Sequence, residues 1–205
     1  MKKMILEDST DLGDDFLKNP GVYSGFMGIS ILHKFFARKR MKYYFEWGSK
    51  QFKEFIILLM DDPDKYNFMV FKGLDEDKAL QKARTIGDEI KTGYEKEIQK
   101  LGITNIRVVQ FRDFVTNKDY LDILHKIKTY SEVNEEFKQD LNDLMDIGIG
   151  QKIRDFSEEN KLDPTNILSF RSVLLNYVLE EIASVLFHTK SGYPIEVDPT
   201  IEIQT

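Results

Sequence analysis

Residues 22–30 read VYSGFMGIS, and this stretch decides the fold class of the chain. Its first eight residues are mostly apolar or small and include several strand formers, a composition typical of a central strand that enters a tight turn. Helical spacing of apolar residues follows at once, with basic residues between them, at Leu32, Phe35, Phe36, Tyr43 and Trp47. We therefore expect a strand and then a helix with an apolar inner face and a cationic outer face, which Gly48 ends or bends.

The next segments repeat this alternation. Residues 55–60 form an apolar run ahead of an Asp-Asp-Pro-Asp turn, which predicts a buried parallel strand. Apolar positions from 75 to 101 trace one helical face that ends before Gly102, and residues 105–111 are rich in Val and Ile. This order predicts an α/β fold, a Rossmann-like and mostly parallel sheet with crossover helices.

The second half of the chain has the pattern of helices. We predict them at residues 118–130, 133–146, 151–160 and 164–187, followed by a short strand at 193–197. The sequence contains no internal repeat or low-complexity linker, and 205 residues suffice for one well-buried core. We therefore predict a single domain over residues 1–205.

Composition excludes several kinds of site. The chain has no cysteine, and its three histidines lie far apart, so we expect no disulfide and no metal. It has neither a Gly-Lys-Ser/Thr phosphate loop nor a dinucleotide fingerprint, so ATP and NAD are not expected. No run approaches the ~18 apolar residues that a membrane span needs, and we expect a soluble, cytoplasmic monomer.

Charge is unevenly distributed along the chain. The net charge is −6, yet residues 33–53 contain seven basic residues and one acidic residue, a local charge of +6. This segment concentrates positive potential, although a solvated helix face is the simpler explanation of the pattern.

Ser30 follows Gly28 directly after the first predicted strand. The carboxyl end of a parallel strand is the usual place for ligands in open α/β sheets, so Ser30 is a candidate nucleophile. The alternative is that it caps the following helix. A hydrolase elbow would need glycine two residues later, where this chain has Leu32.

Tyr177 and Glu181 lie four residues apart in a strongly predicted helix and so share a face. Glu181 borders apolar sequence, where a carboxylate is costly unless it has a partner. One interpretation gives it the ammonium group of a substrate, which Tyr177 orients. The other is a solvated glutamate beside a tyrosine at the edge of the core.

Three motifs together resemble the signature of the tRNA-dependent cyclodipeptide synthases. They are Gly28-x-Ser30, Tyr177-x-x-x-Glu181-Ile182-Ala183 and Tyr193-Pro194, and the resemblance covers nearly the full chain. His33 and Tyr193-Pro194 are similar to the Tyr-Pro subgroup. Ser24 departs from a histidine that many members have, and the helix around residues 72–100 is electrically neutral where several relatives are basic.

The resemblance implies a catalytic domain similar to those of class I tyrosyl- and tryptophanyl-tRNA synthetases. Two aminoacyl-tRNAs would be the substrates, without ATP or metal. Ser30 would take the first aminoacyl group, a second aminoacyl-tRNA would extend it to a dipeptidyl-enzyme, and cyclisation would release a 2,5-diketopiperazine. Glu181 would hold the α-amine, Tyr177 would position it, and Tyr193 would relay a proton.

The resemblance also implies binding residues. The first side chain would lie near Phe26, Gly28, Ser184 and Ser191, with His33 and Pro194 also contacting substrate. Hydroxyls at Ser184 and Ser191 would be left buried and unpaired beside an aliphatic side chain, so we expect a polar or ionisable first amino acid rather than Leu or Phe. Binding of tRNA is expected at Lys34, Arg38, Lys39, Arg40 and Lys42.

Two other functions fit parts of the sequence. A serine hydrolase or acyltransferase would combine Ser30 with a histidine and would turn over simple esters without tRNA. A non-catalytic RNA-binding module would need only the basic segment, and it would not distinguish charged from uncharged tRNA.

Overall fold

The computed structural model describes residues 18–32, 38–146, 150–160 and 163–197. Four strands form one sheet in the order β3-β2-β1-β4: β1 (Gly25–Ile29), β2 (Phe55–Leu59), β3 (Ile106–Gln110) and β4 (Ile195–Glu196). Each neighbouring pair is parallel, with Gly25 in register with both Phe55 and Ile195. The predicted α/β architecture with a parallel sheet is confirmed.

The other elements within the described residues are helices, including a short 3-10 helix at Phe111–Asp113. The helices are α1 (Arg38–Gln51), α2 (Lys65–Lys72), α3 (Glu76–Lys100), α4 (Lys118–Val133), α5 (Glu135–Met145), α6 (Gln151–Asn160) and α7 (Pro164–Lys190). All four helices predicted in the second half are confirmed, with ends that differ by up to three residues. The eight-residue α2 was not predicted, because the Asp-Asp-Pro-Asp turn before it signals loop.

The chain divides into two compact units, each built from separated stretches of sequence. The first contains residues 1–60, 86–111 and 188–205, and the second contains residues 61–85 and 112–187. The first unit therefore holds the whole sheet and α1, and the second holds α2 and α4 to α6, with most of α7. The single domain over residues 1–205 stays a prediction.

The first unit is built on strands with strongly buried side chains. Every residue of β2 is buried, as a strand covered on both faces requires. On α1 the buried residues are Met41 and the residues three, four and seven positions after it, Tyr44, Phe45 and Gly48, which is the spacing of one helix face. Tyr43 is 42% exposed, so its predicted place on the inner face is wrong.

Gly48 lies within α1, which continues to Gln51, so the prediction that it ends or bends the helix is also wrong. A Cβ at this position would lie 2.5 Å from the ring of Phe55. Glycine is therefore needed here because the helix packs closely against β2. The beginning of the predicted basic helix, including Phe35 and Phe36, lies outside the described residues.

Aromatic clusters and ion pairs hold the second unit together. Phe71 packs edge-on against Phe156, and Phe114 stacks on Phe187. Arg84 donates two hydrogen bonds of 2.7 Å to the buried carboxylate of Asp62. A bidentate pair of this kind compensates for the burial of an aspartate.

Candidate active site

Ser30 follows the carboxyl end of β1 in the first unit, and its side chain is half-buried. Its Oγ accepts a hydrogen bond from the backbone N–H of Leu32 at 3.4 Å, which is long for an N–H···O bond. This position, at the carboxyl end of a strand in a parallel sheet, is the one expected for a nucleophile. The bond to Leu32 also shows the local turn contact on which the capping alternative rests.

Gly28 leaves open space on one face of β1. A Cβ built there would meet no atom within 4 Å, and the residue is half-buried although its neighbours on the strand are buried. At Gly25, three residues earlier, a Cβ would lie 2.2 Å from the ring of Phe52. Because side chains alternate along a strand, Phe26 shares the face of Gly28, and it is 1% exposed. His33, predicted to contact substrate, lies outside the described residues.

Tyr177 and Glu181 lie one helical turn apart on α7, in the second unit. Both side chains are half-buried. Their spacing places them on one helix face, as the sequence indicated. Ser30 belongs to the first unit, so the predicted catalytic residues do not all fall in the same unit.

Glu180, which the sequence analysis did not single out, is the more deeply buried of the two glutamates. It is 9% exposed, and its Oε1 accepts a hydrogen bond of 2.7 Å from the hydroxyl of Tyr66. Burial raises the pKa of the Glu180 carboxyl above its ordinary value, and the bond from Tyr66 opposes that shift. A sequence signal was present, since Glu180 stands three residues after Tyr177.

The structure removes the reason for expecting a polar first amino acid. Ser184 is 1% exposed, but its Oγ donates a hydrogen bond of 2.8 Å to the backbone oxygen of Glu181. Ser191 is exposed in the turn after α7. Neither hydroxyl is both buried and unpaired, so the argument for a polar first amino acid loses its premise, and the identity of that amino acid is not tested by these contacts. Pro194 is exposed.

Tyr193 lies at the amino end of the sheet, where Glu54 and Arg107 hold its hydroxyl. The hydroxyl donates to Glu54 Oε2 at 2.7 Å and accepts from an Arg107 Nη at 2.7 Å. Arg107 Nε also pairs with Glu54 Oε1 at 2.8 Å. Burial, followed by the bond to Glu54, raises the pKa of Tyr193. The structure does not bring Tyr193 to Ser30, which lies beyond the other end of β1.

The predicted tRNA-binding residues lie at or before the start of α1. Arg40 and Lys42 are exposed, and Lys42 Nζ lies 3.8 Å from Glu46 Oε1. Arg38 and Lys39 belong to the helix, and Lys34 lies outside the described ranges. The exposed members are accessible to a polyanion.

Two other kinds of feature are absent from the described parts of the chain. No group of three or more His, Asp or Glu side chains there could hold a metal ion. In the same ranges, no helix combines the length and the apolar character of a membrane span.

Comparison with known proteins supplies the family. The cyclodipeptide synthase family model matches residues 25–184. A cyclo(L-leucyl-L-leucyl) synthase of Photorhabdus laumondii is 28% identical over 120 residues, which are 58% of this chain and 51% of the relative. The chain thus spans about half the length of that curated relative.

Solved structures show the same fold. A cyclodipeptide synthase of Fluoribacter dumoffii superposes with a TM-score of 0.77 at 18% identity, covering 93% of this chain and 80% of that one. The synthase of Candidatus Glomeribacter gigasporarum, solved bound to Phe-tRNAPhe, gives a TM-score of 0.59 at 17% identity, covering 82% and 74%. The family model covers well over half of the sequence and includes Ser30, Tyr177 and Glu181. This chain belongs to the cyclodipeptide synthase family.

Proposed function

We propose that the protein is a tRNA-dependent cyclodipeptide synthase that joins two aminoacyl groups into a 2,5-diketopiperazine. The family match over residues 25–184 carries this proposal, because both central motifs fall within it. The position of Ser30 at the carboxyl end of β1 supports it. Neither ATP nor a metal is required, because the ester bond of an aminoacyl-tRNA is already activated.

Ser30 is the proposed nucleophile of the first step. Its Oγ attacks the aminoacyl ester, the bond from the acyl carbon to the tRNA ribose breaks, and the ribose oxygen takes the proton. The α-amine of the aminoacyl-enzyme then attacks the ester of a second aminoacyl-tRNA, which leaves a dipeptide on Ser30. Finally the free amine of the dipeptide attacks the seryl ester, the ring closes and Ser30 recovers its proton.

Glu181 and Tyr177 are proposed to hold the α-ammonium group of the aminoacyl-enzyme. A carboxylate paired with an ammonium group forms a charge-assisted hydrogen bond, which is about twice as strong as a neutral one. Tyr177, one turn earlier on α7, supplies a hydroxyl that directs the amine. The basic residues at the start of α1 would contact tRNA phosphates.

The Tyr-Pro subgroup remains part of the proposal and rests on Tyr193-Pro194 and His33. The geometry does not support the predicted proton relay by Tyr193, since its hydroxyl is held by Glu54 and Arg107 at the amino end of the sheet. We therefore leave proton transfer by Tyr193 out of the mechanism.

The first amino acid is proposed to be apolar. The open space over Gly28 lies on the same face of β1 as the buried Phe26, and the hydroxyl of Ser184 is already bonded within α7. The relative from Photorhabdus laumondii, which is named for a leucyl-leucyl product, is consistent with this choice. Charged tRNAs are cytosolic, so the proposed reaction takes place in the cytoplasm, and a monomer suffices for it.

Expression in a bacterium tests the proposal directly. Mass spectrometry of the medium should detect diketopiperazines that are absent from cells expressing Ser30→Ala. Turnover of simple esters without a diketopiperazine product would instead favour a hydrolase. Equal binding of charged and uncharged tRNA with no product would favour an RNA-binding module.

A further inference from the structure

The carboxylate of Glu180 is buried with few compensating contacts. Tyr66 is the hydrogen-bond partner that the structure gives it, although a carboxylate has about four acceptor positions. Lys65 and Lys128 lie near enough to lower its pKa, but within the described ranges neither forms an ion pair with it, and Lys65 instead pairs with Glu76 at 3.2 Å. A buried carboxylate with so few partners lowers the stability of the fold and favours the approach of a cation or a proton.

Glu180 also shares a helix face with the proposed amine-binding residues. Glu180, Glu181 and Ser184 stand three, four and seven residues after Tyr177 on α7. Residues at these spacings lie side by side on a helix. Two carboxylates, one half-buried and one buried, thus neighbour Tyr177 on the next turn of α7, one on each side of it.

We propose that Glu180, oriented by the hydroxyl of Tyr66, is a second carboxylate of the amine site and accepts the proton that an α-ammonium group must lose before it attacks. This inference rests on the proposed function. Glu181 holds the amine in place. Glu180 takes one proton from the ammonium nitrogen, and the neutral nitrogen then forms the C–N bond. One of the two protons left on that nitrogen passes to the departing ester oxygen. Glu180 then returns its proton to solvent.

The environment of Glu180 suits a base. Burial is the largest influence and raises the pKa of this carboxyl, Asp62 adds to the rise, and Tyr66, Lys65 and Lys128 oppose it. A carboxylate with a raised pKa is a stronger base than an exposed one and lies closer to the pH at which the enzyme works. Half-buried Glu181 has the complementary task of holding the amine.

The decisive experiment compares Glu180→Gln with wild type in single turnover on charged tRNA. The aminoacyl-enzyme at Ser30 should form normally, whereas conversion to diketopiperazine should slow by about 100-fold or more. Glu180→Asp should recover part of that rate. Glu159→Gln, an exposed glutamate on α6 of the same unit, is the matched control and should behave as wild type.

Stability separates this function from a structural one. Glutamine keeps an acceptor for Tyr66 while it removes the buried charge, so Glu180→Gln should melt at the same temperature as wild type or higher at neutral pH. A variant that keeps the wild-type rate and pH profile would overturn the inference. A lower melting temperature of Glu180→Gln, with equal rate losses in aminoacyl-enzyme formation and in diketopiperazine formation, would overturn it as well.

Tyr66→Phe provides a test that leaves the carboxylate intact. The Tyr66 bond lowers the pKa of Glu180, so its removal should raise that pKa and move the acid limb of the rate profile to higher pH. An unmoved acid limb would contradict the proposal. Absence of any diketopiperazine from the wild-type protein would instead defeat the proposed function itself, which distinguishes the two failures.

Discussion

Ser30 and Tyr193 lie at opposite ends of the sheet, Ser30 after the carboxyl end of β1 and Tyr193 before the amino end of β4. Ser30 follows the last residue of β1, whereas Tyr193 precedes Ile195, which is in register with the first residue, Gly25. The five residues of β1 span about 13 Å at the usual rise of a strand. Proton transfer between these two hydroxyls therefore has no support in the geometry, and the contacts of Tyr193 with Glu54 and Arg107 indicate a structural role.

Tyr193→Phe should accordingly change stability more than activity. The substitution removes two hydrogen bonds at a partly exposed site, a loss of about 0.5–1.5 kcal/mol in the free energy of unfolding. The rate of diketopiperazine formation should stay within about twofold of wild type. Chemical denaturation and single-turnover kinetics would check both values. A rate loss near 100-fold at unchanged stability would restore Tyr193 to the catalytic mechanism.

Ser30→Ala should abolish the covalent intermediate. Wild-type protein mixed with its charged tRNA should gain the mass of one aminoacyl group, because Ser30 forms an ester with it. The alanine variant should show neither this adduct nor any product, and its fold should persist because the contact with Leu32 that it loses is a long one. An undiminished yield from the variant would place the nucleophile elsewhere.

The sequence predicted the sheet and most helices because their hydrophobic periods are strong. Residues 75–101, for example, give a long helix whose end is marked by Gly102, at a φ of 67°. Tyr43 was misplaced because the period was counted from Leu32, Phe35 and Phe36, which precede the first residue of α1. The buried positions Met41, Tyr44 and Phe45 follow a different phase.

The site was harder to predict than the fold. Motif spacing identified Tyr177 and Glu181, but burial depends on which neighbours pack against α7, and the sequence could not show that Tyr66 meets Glu180 across 114 positions. Tyr193 was assigned from a dipeptide, whose position at the amino end of β4 became visible only with the strand register.

Glu181→Gln should cause activity to collapse while the protein stays folded. Glutamine keeps the shape of the side chain but loses the charge that pairs with the α-ammonium, a contact of roughly 1.5–3 kcal/mol. Because the Glu181 side chain is half-buried, the melting temperature of the variant should differ little from that of wild type. Kinetics and thermal unfolding should be measured together, and normal product formation would show that Tyr177 and Glu181 are structural.

Charge reversal of Arg38, Lys39 and Arg40 should weaken tRNA binding. Each lost phosphate contact removes a released counterion, so both the affinity and its dependence on salt concentration should fall, whatever amino acid is attached. Reversal of Lys82, Lys96 and Lys100 on α3 serves as the comparison, since that region is electrically neutral. Filter binding at several salt concentrations would measure the slopes. A larger effect from the α3 variant would move the tRNA surface to that helix.

Gly28→Val should change the amino acid that the enzyme selects without disrupting the fold. The space over Gly28 holds no atom within 4 Å of a new Cβ, so the first added carbon meets no clash and β-branching suits a strand. If the first side chain occupies this space, leucine or phenylalanine should be used less well than alanine, with a loss of 10-fold or more expected for a mismatch of about 1–3 kcal/mol.

Gly25→Ala is the contrasting variant. Its Cβ would lie 2.2 Å from the ring of Phe52, so it should lower stability by about 1–3 kcal/mol. Product profiling by mass spectrometry with defined charged tRNAs decides the question. An unchanged profile from folded Gly28→Val protein would place the first side chain away from this face of β1.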